Sequence, residues 1–134
     1  MREANCATDI VLEALAEVER AAPGLTLGQL AMLLHVVRTE GLRVSDLARQ
    51  CGRSDSWVSR SVRAMAAEGE PGALAPAYGL IELLRGDDAR VRHLVPTSSG
   101  KALAQSLVQI VVLEAAASVP MAPAPLIATA GSPE

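Results

Sequence analysis

A row of hydroxyl and guanidinium side chains runs through residues 54–63: Ser54, Ser56, Ser59, Arg60 and Arg63, with Trp57 among them. A serine hydroxyl both donates and accepts, and a guanidinium presents a planar fork of donors. Groups of this kind recognise acceptor-rich surfaces such as phosphate oxygens and the edges of bases. If the segment is a helix, positions 56, 59, 60 and 63 are neighbours, because residues three and four apart share a face. Val58 and Val62, four apart, then point the other way. A helix with one apolar face and one rich in hydroxyls and guanidiniums can rest on a protein core and enter a DNA major groove at once.

The preceding residues supply what such a helix needs to be held in place. Leu47 and Ala48 belong to a first short helix, with Ala48 small enough to sit where two helices cross. Gly52 tolerates a positive φ and so can end that helix and reverse the chain. Ser54 offers an oxygen to the free N–H groups of the next helix. Residues 44–63 therefore read as a helix-turn-helix whose N-terminal turn, Asp55 to Ser59, meets base edges. The alternative at this level is an ordinary helical hairpin in a small bundle.

Composition narrows the class. A length of 134 residues suggests one domain with a real core, and half the residues are hydrophobic. That core is aliphatic, because the chain has no Phe, one Trp and one Tyr. No run approaches the roughly 18 uncharged apolar residues of a membrane span. The longest apolar stretch, Leu103 to Ala117, is interrupted by Gln105, Ser106, Gln109 and Glu114. The first residues lack the apolar core and cleavage site of a signal peptide, so cytoplasmic residence is expected. Cys6 and Cys51 lie far apart and form no metal motif. Cys51 reads as a small core residue, and Cys6 as the more exposed of the two. The net charge of −3 weighs against a nucleic-acid partner, but its distribution does not. Residues 43–63 alone carry five Arg against two Asp, and local charge governs contact with phosphates. There is no Gly-rich phosphate loop, no metal-ligand spacing and no nucleophile–base pair, so neither an enzyme nor a cofactor is expected.

The remaining elements follow from pattern. Residues 3–21 have helical periodicity, with Ile10, Val11, Leu15 and Val18 as the apolar stripe and Pro23-Gly24 as the stop. Thr26 with Gln29 three residues on is a capping-box arrangement for a second helix to about Thr39, expected to bury Leu27, Leu30, Leu33, Leu34 and Val37. The helix bearing the serines is expected to run to about Glu68. Residues 70–79 form a Pro/Gly/Ala loop. Residues 80–84 and 91–95 read as two strands around the turn signal Gly86-Asp87-Asp88, a wing beside the helix-turn-helix. Thr97 caps a last helix to about Ala117, with Leu103, Leu107, Ile110 and Val111 on one face. Residues 119–134, rich in Pro and Ala, form a tail. The expected fold class is mainly α with a small β-hairpin wing, a winged helix-turn-helix of order α-α-α-α-β-β-α. Its expected parts are an N-terminal dimerisation helix (1–24), a DNA-binding domain (25–97), a C-terminal dimerisation helix (98–118) and the tail (119–134).

Over residues 25–105 the chain resembles the multiple-antibiotic-resistance regulator (MarR) family of bacterial winged-helix transcription factors. The resemblance is carried by Val44-Ser-Asp-Leu-Ala-Arg-Gln-Cys-Gly52, by Ser56-Trp-Val-Ser-Arg-Ser-Val-Arg-Ala-Met65, by Gly79-Leu-Ile-Glu82, and by the spacing from Asp88-Ala-Arg90 to Pro96-Thr-Ser-Ser-Gly100. It implies that Ser56, Ser59 and Arg60, with Trp57 beside them, face the major groove; Arg63, one turn on, is a further candidate for DNA contact. It implies that Arg90 enters a flanking minor groove, with Arg92 near it on the wing, while Asp88 orients the hairpin. Each residue also has a plainer reading: Arg60 and Arg63 as solvated charges, Arg90 as a hairpin salt-bridge partner, Trp57 as half-buried packing, His35 and His93 as core or edge residues.

The resemblance further implies a homodimer joined by its terminal helices, bound to double-stranded DNA at a pseudo-palindromic operator. It implies a repressor, released by a small-molecule effector that binds between the dimerisation helices and the DNA-binding lobe. Three departures stand out: the 70–78 loop is longer than the family's direct step into the wing, the second C-terminal helix is missing, and the first helix is short. The long loop and the absent final helix, with the net acidity, suit an alternative in which the winged helix is an antirepressor-like protein-interaction module without specific DNA binding.

Overall fold

A computed structural model describes residues 2–85 and 92–118. Its elements in chain order are α1 (Arg2–Ala21), α2 (Leu27–Arg38), β1 (Leu42–Arg43), α3 (Val44–Cys51), α4 (Asp55–Met65), β2 (Ile81–Arg85), β3 (Arg92–Pro96) and α5 (Ser98–Ser118). The winged helix-turn-helix expected from the sequence is present, with one addition. The two-residue strand β1 pairs Leu42 with Leu94 and Arg43 with His93, so the hairpin becomes a three-stranded antiparallel sheet of order β1-β3-β2. The hairpin strands lie one residue later than the pattern placed them, with Ile81 opposite Pro96 and Leu83 opposite Leu94.

α2 begins at the capping box. Thr26 accepts from the backbone N–H of Gln29, and the Gln29 side chain accepts from the N–H of Thr26, each at 3.1 Å. The buried face of α2 differs from the expected one. Met32, Leu33 and Val36 are fully buried, while Leu27 is 75% exposed and Leu34 39%. Nearly every position of this helix is apolar, so periodicity did not fix its rotation; contact with α3, α5 and β3 does.

α4 ends at Met65 rather than near Glu68. The cause lies in the returning chain. The carbonyls of Arg63, Ala64, Met65 and Ala66 accept from the N–H groups of Leu74, Tyr78, Leu80 and Gly79. The last carbonyls of a helix need partners, and here the loop supplies them. The long 66–80 segment is therefore folded onto α4, with Ala67 bridged to Tyr78 and the Tyr78 hydroxyl donating to Pro23 O at 2.8 Å.

α5 starts on a close approach. Thr97 Oγ1 donates to Gly79 O and accepts from Gly100 N–H, while Thr97 N–H donates to Leu80 O. A Cβ on Gly100 would fall 2.2 Å from Leu80 O. Thr97 and Gly100 together thus seat the first turn of α5 on the entry to β2. Beyond that, α5 packs along α1, with Val18, Leu103 and Leu107 buried.

The stripes expected on these two helices are only partly covered within one chain. Val11, Leu12 and Leu15 of α1 and Val108, Val111, Val112 and Leu113 of α5 are exposed. Cys6 and Cys51 are both half-buried free thiols. Among the described residues, no helix is long and apolar enough to cross a membrane. Residues 119–134, read as a tail, lie outside the described residues.

Candidate nucleic-acid interface

The turn between α3 and α4 is built by backbone chemistry. Gly52 adopts φ 67° and ψ 33°, the left-handed region. Its N–H is directed to the carbonyls of Ala48 and Arg49, and the N–H of Arg53 bonds Ala48 O at 3.0 Å. Ser54 follows in extended conformation, and its Oγ accepts from Trp57 N–H at 3.1 Å. This capping bond satisfies one of the free donors of α4. Asp55 in the first turn adds a negative charge at the positive end of the helix dipole.

Val58, Val62 and Met65 anchor α4 in the core, with Ser61 buried among them. The opposite face carries Ser56, Arg60 and Arg63, all exposed, with Ser59 half-buried at its edge. The structure thus brings the expected residues of α4 onto one solvent-facing stripe. Arg63 is not free along its whole length. Its Nε donates to Gly72 O at 2.8 Å, tying the C-terminal end of the stripe to the 70s loop. Trp57 is half-buried at the other edge, against the first turn of α2.

One neighbour was missed by sequence reasoning. The guanidinium of Arg53 lies over the Trp57 ring, 4.2 Å from its centroid. The signal was an Arg four residues before a Trp, but Arg53 sits in the turn, where helical spacing gave no reason to pair them.

The wing residues are described less fully. Asp88 and Arg90 lie outside the described residues, and so does the side chain of Arg92, whose backbone belongs to β3 opposite Arg85. The root of the wing is held by His93, whose Nδ1 lies 3.0 Å from Gly41 O, the edge role open to it from the sequence.

Two hollows adjoin these elements. A cavity of about 280 Å³ lies between α1, α5 and the entry to β2, lined by Glu17, Arg20, Tyr78, Leu80, Leu103 and Ser106 among others. A wider cleft of about 920 Å³ opens between α4, the 70s loop and β2, with Ser59, Arg63, Glu70 and Glu82 on its walls. Burial pushes the Cys51 thiol up from its ordinary value, and the charge of Arg53 partly opposes the shift. No group of three metal-ligating side chains converges among the described residues.

No family model and no curated sequence matches the chain. Solved structures do. A Staphylococcus aureus MepR–DNA complex is 19% identical, with 96% of this chain and 94% of that one covered at a TM-score of 0.66. Streptococcus pneumoniae FabT in complex with DNA is 15% identical, with 96% and 90% covered at a TM-score of 0.59. A MarR transcriptional regulator from Methanosarcina mazei Go1 is 15% identical, with 95% and 86% covered at the same TM-score. The coverage runs through the helices at both ends as well as the winged helix, so the fold of this chain is that of the MarR-type winged-helix proteins.

Proposed function

We propose that this chain is a sequence-specific DNA-binding transcriptional regulator that acts as a homodimer and represses by occluding a promoter. The observation that carries the reading is the solvent-facing stripe of Ser56, Arg60 and Arg63 on a capped helix anchored by Val58, Val62 and Met65. Two structural neighbours, MepR and FabT, are themselves in complex with DNA. In this reading Arg60 takes a base edge, Ser56 and Ser59 bond bases or phosphates, and Ser54 and Trp57 hold the start of the helix against the groove. Arg63 reaches the backbone with the donors its loop bond leaves free. Arg90 and Arg92 lie along the flanking minor groove, where a narrow groove concentrates negative potential, and Asp88 orients the wing.

The dimer is supported by the exposed apolar residues of α1 and α5, which a second copy would cover. Residues 1–24 and 98–118 then form the dimer lobe and 25–97 the DNA-binding lobe. Two recognition helices about 34 Å apart would meet successive major grooves of a pseudo-palindrome. A small-molecule effector suits the 280 Å³ cavity, which lies between the two lobes. A ligand there would shift the dimer between a spacing that fits the operator and one that does not. The reading needs no cofactor, no catalysis and no membrane, and places the protein in the cytoplasm.

The test is anisotropy binding to a random duplex pool at low and moderate salt, with sequencing of what stays bound. A recovered pseudo-palindrome and a steep salt dependence are expected. Absence of binding at low salt would replace this reading with the protein-interaction module. Sedimentation of Leu113→Glu checks the dimer, and the variant is expected to run as a monomer.

A further inference from the structure

We infer that Arg53 is a binding site for a backbone phosphate at the edge of the groove, and that Trp57 is its platform rather than a reader of bases. The inference rests on the DNA-binding reading and names a contact that reading did not contain.

The geometry begins with Gly28, in the first turn of α2. A Cβ at that position would fall 2.9 Å from Cη2 and 3.1 Å from Cζ2 of Trp57, and 3.4 Å from Nη2 of Arg53. A side chain there would press on the rim of the indole, while the guanidinium would be met only at ordinary contact distance. The backbone that carries the indole is held as well, because the backbone N–H of Trp57 is the donor captured by Ser54. The guanidinium carbon of Arg53 then lies over the ring, 4.2 Å from its centroid, within the range of a cation–π contact. Three elements therefore define the place of one guanidinium: the turn that carries it, the first turn of α4, and the start of α2.

Stacking occupies the face of a guanidinium and leaves its edge. The N–H donors lie in the guanidinium plane, so an Arg held flat against an aromatic ring can still form paired bonds to a phosphate. The stack also limits the rotamers that an exposed Arg would otherwise lose on binding. Among the described residues Arg53 has no carboxylate partner, whereas Arg20 is paired with Glu17 and Arg49 with Asp46. It lies beside the positive end of α4, where the Asp55 carboxylate already answers part of that charge. The cost falls on Trp57. With Arg53 over its ring and Gly28 against its outer edge, the indole has little surface left for a base.

The experiment compares full-length wild type, Arg53→Ala, Arg53→Lys and Trp57→Leu on the selected duplex and a scrambled one, from 50 to 200 mM salt. Arg53→Ala is expected to weaken both duplexes by the same factor. Each phosphate contact contributes about 0.9 to the log–log salt slope, so the variant dimer should lose about 1.8 of slope, and its fall in affinity over this fourfold salt range should be about twelvefold smaller than that of wild type. Arg53→Lys should recover the slope but not the full affinity, because an ammonium lacks the fork. Trp57→Leu should weaken binding and keep the preference for the selected site. In the free protein, iodide should quench Trp57, the only tryptophan, more readily in Arg53→Ala than in wild type.

A wild type that binds while Arg53→Ala keeps its full slope overturns this inference alone. So does a loss confined to the selected duplex, which would make Arg53 a base reader, or a Trp57→Leu that no longer discriminates. A wild type that binds neither duplex overturns the inference together with the regulator reading.

Discussion

Replacing Gly100 by Ala should damage this fold more than any other single added methyl group in α5. The new Cβ would stand 2.2 Å from the carbonyl oxygen of Leu80, a backbone atom that cannot swing aside as a side chain can. It would also press on Leu33 Cδ1 at 3.1 Å. Relief requires α5 to lift from the entry to β2. That movement strains the bonds from Thr97 N–H to Leu80 O and from Thr97 Oγ1 to Gly79 O.

The magnitude follows from these parts. Overpacking of this kind costs about 1–3 kcal/mol, at the upper end when backbone must move. Two weakened hydrogen bonds add about 0.5–1.5 kcal/mol each. The better helix propensity of Ala returns about 1 kcal/mol. The net is about 1–5 kcal/mol, a large share of the roughly 5–15 kcal/mol that holds a domain together. Urea unfolding at matched protein concentration reads it, since the proposed dimer would make stability depend on concentration. Ala102, two residues on and exposed, serves as the control through Ala102→Gly, expected to cost only about 1 kcal/mol. A Gly100→Ala protein within 0.5 kcal/mol of wild type would refute the argument that this glycine exists to let α5 meet β2.

Ser54→Ala should cost about 1 kcal/mol in urea unfolding through loss of the bond from Trp57 N–H, and Ser54→Gly only a few tenths. Arg60→Ala should leave stability unchanged and cost roughly 1–3 kcal/mol of binding on the selected duplex alone; equal losses on every sequence would reassign Arg60 to phosphate. Tyr78→Phe should cost about 1 kcal/mol or less, because the freed Pro23 carbonyl is exposed and water can replace the phenol. The raised Cys51 thiol should react slowly with disulfide reagents near neutral pH. Because its proton is held more tightly folded than unfolded, its contribution to stability is complete below the ordinary thiol value and declines as pH rises through the alkaline range. Cys51→Ala should flatten that decline.

What the sequence disclosed was local. Gly52, Ser54, Thr26 and Gln29 each answer a need of their own backbone within three residues, so their types and spacing sufficed. The stripe of Ser56, Arg60 and Arg63 was legible for the same reason, since α4 alternates clearly between apolar and polar faces. Long-range effects were not legible. α2 is apolar on most sides, so the choice of Met32 and Val36 over Leu27 and Leu34 depended on neighbours far along the chain. The strand β1 has two residues and exists only because β3, fifty residues later, offers them partners. The early end of α4, the hold of Gly72 on Arg63 and the contact of Gly28 with Trp57 all join segments that no periodicity relates.

The short strand β1 constrains how such a molecule could be switched. It immediately precedes α3, and its partner β3 is one arm of the hairpin, so the first helix of the helix-turn-helix and the wing share a backbone seam. The other arm, β2, is sewn to the end of α4 by the carbonyls of Met65 and Ala66. Bending the wing away from the recognition helix would tear both seams, whereas tilting the whole lobe about its attachments to α1 and α5 would tear neither. In the proposed homodimer, a signal arriving at α1 and α5 would therefore steer each reading head as one piece, and control would lie in the distance between two such heads rather than in the shape of either.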